Sequence, residues 1–131
     1  MAESKTLNSA DDLFASAGPT EATATLPNGR TVRFRGQSER KLVALQKSFV
    51  DAKGRVRESR KPEVRARYVV AYAVNDEGKP LFTVDDVPRL LEMDAAYVAA
   101  MFEAASKVCG LSEADVEELA GNSEKTEDGG S

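Results

Sequence analysis

The sequence predicts a mainly α protein: a compact helical domain with a small N-terminal β-hairpin, at about residues 21–35, and a disordered C-terminal tail. Apolar residues recur at helical spacing between residues 95 and 109 and outline one buried face. Two short runs of β-favouring residues flank Asn28-Gly29, the strongest short-range signal of a hairpin. The last ten residues, NSEKTEDGGS, contain no apolar residue that could pack into a core.

The length and the distribution of apolar residues predict a single domain. A chain of 131 residues is the usual size of one domain, and its 41% of hydrophobic residues is ordinary for a globular protein. We expect a flexible lead over residues 1–8, the domain over residues 9–121 and the tail over residues 122–131. Most large apolar residues lie between 68 and 110, around a turn at residues 75–80, so the core is expected there.

The first elements are expected to be a short helix and the hairpin. Ser9 is a favourable N-cap for a helix over residues 10–17, which the following Gly-Pro pair would end. Strands are predicted over residues 21–26 and 30–35. An isolated two-stranded hairpin is marginally stable, so its apolar face, which includes Phe34, must rest on helices.

A second helix is predicted over residues 39–52. Ser38 is its expected N-cap and Lys53-Gly54 its expected end, because a cation suits the last turn and glycine suits the left-handed conformation after it. Its apolar residues recur at the spacing of one buried stripe: Leu42, Leu45, Phe49 and Val50. Val43 lies off that stripe.

The segment at residues 63–74 has two possible interpretations. Its tyrosines and valines favour a strand, whereas its alanines and its basic start favour a helix, and Pro62 suits a first helical position. We favour the helix and leave the strand open. The stretch from residue 53 to this segment has no apolar period, so we expect a mobile loop there.

Two further helices are expected before the C-terminal region. Thr83 is a potential cap, and Pro88 is tolerated only in a first turn, so a helix should begin near it and run to about Met93. Asp94 is the expected N-cap of a separate helix over residues 95–109, and the glycine that follows ends it.

The composition excludes most catalytic chemistry. The chain has no histidine and one cysteine, Cys109, which argues against a thiol protease dyad, a zinc cluster and an intrachain disulfide. No Gly-rich phosphate loop is present, and the neighbouring aspartates sit in first helical turns, where the helix dipole favours them. We therefore expect a non-enzyme without catalytic residues, cofactor or metal. With no apolar run long enough for a membrane span and no signal peptide, we expect a soluble, cytoplasmic protein.

A basic block is the one feature that could bind a partner. Its cations, opposed by only two glutamates, are Lys53, Arg55, Arg57, Arg60, Lys61, Arg65 and Arg67. It is either a solvated face, or a surface for an acidic protein, or, as the least favoured reading, a nucleic-acid site. The net charge of −4 argues against wholesale nucleic-acid binding, and the nearby Tyr68 and Tyr72 are expected in the core rather than available for stacking.

The C-terminal region, residues 113–128, carries the opposite charge. A positive middle and a negative end on one chain could steer copies head to tail. Such a contact joins two different patches and produces rings or open spirals, so we expect self-association.

The order of the motifs resembles that of the tail assembly chaperones of long-tailed siphophages. That family typically has a "GRTVRVRGL"-like opening, a leucine-bearing helix, a "VAYGVVDEDGKPLF" segment with an acidic Asp-Val step, a helix entered through Asp-Ala, and a "GLSEEDVEEL" helix. The chain has LPNGRTVRFRG, a helix with Leu42 and Leu45, then RYVVAYAVNDEGKPLFTVDDV, EMDAAYVAAMF and GLSEADVEELAGNSE. The last of these has a capping-box-like start that predicts a helix over residues 113–120.

This resemblance, which covers about residues 25–123, implies a non-enzymatic assembly factor. Such proteins coat the long tape-measure protein and keep its apolar helical length soluble, help to recruit tail-tube subunits, and are absent from the mature virion. It also implies action in the host cytoplasm, and a ribosomal frameshift that makes a longer form, of which this chain would be the short form.

A coating protein needs exposed apolar positions on its helices. Leu13, Phe14 and Val43 are the expected client-facing residues, beside the basic block as a second partner-binding surface. The alternative function is a small phage nucleic-acid-binding or regulatory module that uses residues 53–67.

Overall fold

The computed structural model describes residues 6–111. In this part of the chain, five α-helices and a three-stranded antiparallel sheet surround one core. The elements are α1 (Ala10–Ser16), β1 (Glu21–Thr25), β2 (Thr31–Arg35), α2 (Glu39–Lys47), a 3₁₀ turn (Glu58–Glu63), α3 (Val64–Tyr72), β3 (Ala73–Val74), a 3₁₀ turn (Val84–Asp86), α4 (Val87–Leu91) and α5 (Ala95–Cys109). The mainly α prediction is confirmed in outline. The predicted helix at 113–120, the tail at 122–131 and the first five residues of the lead lie outside the described residues.

Polar side chains begin the helices where the sequence places them. The side chains of Ser9, Ser38 and Asp94 each accept a hydrogen bond from a backbone N–H two or three residues further on, at 2.8–3.1 Å. Thr83 and Asp86 form a reciprocal capping box at the turn before α4. These contacts satisfy N–H groups that the first helical turn leaves without a partner.

The N-terminal hairpin has the expected position, and its register is defined by two cross-strand pairs. Ala22 lies opposite Phe34, and Ala24 lies opposite Val32. Gly29 adopts a positive φ of 85° in the connecting turn, which glycine tolerates without steric cost. The register places Ala24 and Phe34 on the face that α5 covers, and both are buried.

The sheet contains more than the predicted N-terminal hairpin. β3 pairs antiparallel with β2, Phe34 being opposite Ala73. The favoured helix over 63–74 is therefore right as far as Tyr72, after which the chain becomes extended. The change occurs because Asn75 folds the next turn back, its side chain accepting the backbone N–H of Glu77 at 2.8 Å.

The second helix is shorter than predicted, since α2 ends at Lys47 rather than at residue 52. The chain turns at Ser48 so that Phe49 enters the core, where its ring lies 5.8 Å from that of Tyr68. The expected stop at Lys53-Gly54 is therefore wrong as a helix end. Gly54 has a positive φ of 82°, but it belongs to a separate turn.

The core lies between α3, α5 and the sheet. Tyr68 is 1% exposed, and its ring contacts Phe49 on one side and Phe102 on the other, at 5.8 and 5.9 Å between centroids. Ala105 is fully buried, and such small residues let α5 approach α3 and β1 closely. The predicted bounds of α5 are confirmed, and Gly110 ends it with a left-handed φ of 81°.

Two phenylalanines give a matched test of this core. Phe34→Ala removes a fully buried ring and should lower the free energy of unfolding by about 3–5 kcal/mol. Phe14→Ala removes a ring that is 75% exposed and should change it by no more than about 0.5 kcal/mol. Urea unfolding followed by circular dichroism measures both values, and equal costs for the two variants would contradict the described core.

Candidate functional site

The candidate sites among the described residues are grooves and charged surfaces. No cluster of three His, Cys, Asp or Glu side chains within residues 6–111 could hold a metal ion. The Cys109 thiol is half-buried, and burial raises its pKa. Burial is also the main cause that raises the pKa of Tyr72 to about 12. In the same part of the chain, every helix is too short or too polar to cross a bilayer.

The basic block is ordered by contacts that the sequence did not reveal. It was expected to begin as a mobile loop, but Val50 and Val56 form an antiparallel bridge, and the Arg57 N–H donates to the Phe49 carbonyl at 2.9 Å. Between them, the Asp51 carboxylate accepts backbone N–H groups, chiefly that of Arg55, which lowers its pKa. The turn is thus fixed at its base by the buried Phe49 ring.

Three of the seven predicted cations are neutralised locally. Glu63 forms salt bridges with Arg60 at 3.0 Å and with Arg67 at 2.8 Å, and these bonds, led by that from Arg67, lower its pKa. Lys61 pairs with Glu58 at 2.8 Å. Both glutamates of the block are therefore engaged, while the Asp51 carboxylate interacts electrostatically with Arg55 and Arg57, and the Arg57 Nε donates to the Val50 carbonyl at 3.2 Å.

The other four cations, Lys53, Arg55, Arg57 and Arg65, form no salt bridge with any residue from 6 to 111, and we call them the cationic surface. Arg55 and Arg57 line a polar depression of about 540 Å³. The Arg65 guanidinium lies 5.9 Å from the centre of the Phe102 ring, while its buried Nε has no hydrogen-bond partner in the part described. A cation over an aromatic face is held in place but keeps its positive charge.

The second feature is an apolar groove beside α1, which we call the α1 groove. It has a volume of about 1070 Å³, and its lining includes Leu13 and Phe14 on one side and Val108 on the other. Leu13 is 45% exposed and Phe14 is 75% exposed, and no residue of α1 is buried. An amphipathic helix with an unburied apolar side is suited to covering an apolar partner.

The floor of this groove is rigid. The Thr20 hydroxyl donates to the Val108 carbonyl at 3.0 Å, and the Gly36 N–H donates to the Thr20 carbonyl at 2.8 Å. A Cβ at Gly36 would lie 2.7 Å from the Thr20 Oγ1 and 2.9 Å from the Val108 oxygen, so only glycine fits without a shift. The structure thus places Leu13 and Phe14 along one fixed groove.

A smaller apolar groove beside α4 was not foreseen from the sequence. It has a volume of about 410 Å³, and its lining includes Leu81, Phe82, Leu90 and Met93. Of the exposed apolar residues nearby, Leu81 and Met93 line this groove, whereas Leu91 does not. Leu90 is buried and Leu91 is exposed. The third predicted apolar contact, Val43, is 38% exposed on α2 and lines neither groove.

The arrangement defines a small helical domain, closed by a short sheet, whose candidate sites are an apolar groove and a cationic surface. A comparison with solved structures finds this fold in the tail assembly chaperone of bacteriophage HK97, with a TM-score of 0.51 over 74% of this chain and 94% of that one. The two sequences are 17% identical over the match, so the likeness establishes a shared fold. The family resemblance noted in the sequence is thus supported at the level of the fold. No protein-family model and no curated protein matches the chain.

The Glu63 cluster predicts a pH-dependent contribution to stability. Because the pKa of Glu63 is lower in the folded chain, its stabilisation is present above about pH 4.5 and is lost as the pH falls through the folded value. Glu63→Gln should therefore lower the Tm at pH 7 by about 3–5 °C, with the difference from the parent protein shrinking below pH 4.5.

Glu58→Gln is the matched control, since the Glu58 side chain is 86% exposed and serves one lysine. Exposed single pairs contribute little, so this variant should stay within about 2 °C of the parent protein at both pH values. Thermal denaturation of the three proteins at pH 7 and pH 3 checks the prediction. A pH-independent loss in Glu63→Gln would contradict it.

Proposed function

We propose that the chain is a siphophage tail assembly chaperone. It acts without catalysis, in the host cytoplasm, by holding the tape-measure protein in solution and helping to recruit tail-tube subunits, and it is absent from the mature virion. The observation that carries the proposal is the shared fold with the HK97 tail assembly chaperone, which covers 94% of that chain. The ordered motifs of the sequence resemble the same family, and they support it from a separate line of evidence.

The α1 groove is the proposed contact for the client. A tape-measure protein of this family presents long, apolar helices, and their side chains fit a groove with apolar walls. Each apolar square ångström removed from water contributes about 25 cal/mol, so a helix as short as α1 offers only weak binding per copy. Weak contacts repeated over many copies can keep a long client soluble and still release it during assembly.

Coating a long client also calls for contacts between copies. We propose that copies self-associate into rings or open spirals, and that the chain is the short form of a frameshifted pair. The cationic surface and the acidic C-terminal sequence offer the opposite charges that such contacts require.

The cationic surface also favours a second candidate, a nucleic-acid-binding or regulatory module. Stacking, which usually accompanies such binding, has no support here, because Tyr68 and Tyr72 are both 1% exposed. Fluorescence anisotropy with a double-stranded oligonucleotide should show no binding at 50 mM salt. Tight binding that falls steeply between 50 and 200 mM salt would favour the module, since phosphate contacts release counterions.

Co-expression with the phage's tape-measure protein tests the proposed client contact. The parent chain should keep that protein in the soluble fraction, and Phe14→Ser should reduce the soluble fraction several-fold, because it places a polar group in the α1 groove. Quantitative immunoblotting of soluble and pelleted fractions provides the measurement.

Val84→Ser is the matched control. Val84 is 62% exposed, but it lies outside the α1 groove, so its replacement should leave the client soluble. Equal losses in both variants would contradict the assignment of the groove. A client that is equally soluble without any chaperone would contradict the proposed function itself.

A further inference from the structure

We propose that the cationic surface of one copy binds the acidic C-terminal segment, residues 112–131, of a second copy, so that copies join head to tail. This inference rests on the proposed function, because it supplies the contact by which a chaperone coats a long client.

Charge complementarity is the first argument. Lys53, Arg55, Arg57 and Arg65 have no salt-bridge partner between residues 6 and 111, while the nearby Glu58 and Glu63 are already engaged. Residues 112–131 contain seven acidic residues and one basic residue, so they carry a net charge of −6, whereas the rest of the chain carries +2. The two regions therefore carry opposite charges that could attract each other.

Their placement is the second argument. The rings of Tyr68 and Phe102 are in contact, and further along both helices Tyr72 lies close enough to Cys109 for the thiol to influence its pKa. α3 and α5 therefore run side by side in the same direction. The cationic surface lies at and before the start of α3, whereas residues 112–131 follow the end of α5.

The two charged regions thus belong to separate parts of the chain. Eight residues separate Phe102, beneath Arg65, from Leu111, and α5 spans most of them at about 1.5 Å per residue. When the cationic surface of one copy binds the acidic segment of another, the complex still has one unused cationic surface and one unused acidic segment. The contact can therefore repeat without closing at a dimer, as an extended client requires.

The contact should be weak and sensitive to salt, because its members are exposed charges that ions screen. Multi-angle light scattering of the full chain, without client, should give a mass that rises with concentration at 50 mM salt. At 500 mM salt the mass should return to that of the monomer.

Two full-length variants test the pairing. The surface variant carries Arg55→Glu and Arg57→Glu. The segment variant carries Glu117→Gln, Glu118→Gln, Glu124→Gln and Glu127→Gln, positions outside the predicted capping box at Ser112. Each variant alone should be monomeric at 50 mM salt. An equimolar mixture should form a dimer and nothing larger, because only the intact segment of one and the intact surface of the other can pair.

A third variant, Lys79→Glu with Lys107→Glu, controls for net charge. It makes the same change of −4 as the surface variant, on exposed residues elsewhere, and should assemble like the parent protein. Circular dichroism should show the parent Tm for all three variants.

The possible outcomes distinguish the proposed interface, self-association in general and the chaperone function from one another. Parent-like oligomers in both variants would overturn this interface while leaving self-association intact. A mixture that stays monomeric would also overturn it, because the intact segment of one variant and the intact surface of the other would then have failed to pair. A parent protein that is monomeric throughout would overturn self-association together with this interface, while the client solubility assay would still decide the chaperone function.

Discussion

The position of Tyr68 is the constraint on which the rest of the structure depends. Its ring is held between Phe49 and Phe102, so that one residue joins the turn after α2, the helix α3 and the helix α5. The Gln46 side chain donates a hydrogen bond to its hydroxyl at 3.3 Å, which gives the buried polar group a partner. Edge-to-face and tilted ring contacts of this kind add directional preference to the burial of apolar area.

The packing of Tyr68 between Phe49 and Phe102 also determines where the surface cations lie. Because Phe49 is drawn into the core, the chain cannot continue α2 and must turn, and the cations at residues 53–57 stand on that turn. Arg65, one helical turn before Tyr68, is held over the other ring of the cluster. The apolar contact thus fixes where the charges lie, although it leaves them without salt bridges in the described part of the chain.

Short-range sequence signals were sufficient to predict the elements that depend on contacts between residues close in sequence. The capping aspartate, apolar stripe and final glycine of α5 act within a few residues of one another, and Asn28-Gly29 likewise defines its own hairpin. The sequence could not show that Phe34 pairs with Ala73, or that Phe49 leaves the helix, because each depends on residues far along the chain. For the surfaces, Leu13 and Phe14 were expected to be exposed because a coating protein needs apolar residues on its surface, and both are exposed. That Glu63 forms salt bridges with both Arg60 and Arg67 could be seen only from the helix geometry of the folded chain.

The charge distribution explains how a chain with a net charge of −4 could still attract its own copies. Net charge governs repulsion at long range, but at physiological ionic strength screening reduces such forces beyond about 8 Å. At shorter range, the arrangement of charges on the facing surfaces determines whether two copies attract or repel each other. A cationic surface fixed by the Phe49 turn would meet an acidic sequence before the repulsion between whole molecules becomes important. The proposed head-to-tail attraction therefore requires charges that are separated along the sequence, rather than a chain that is neutral overall.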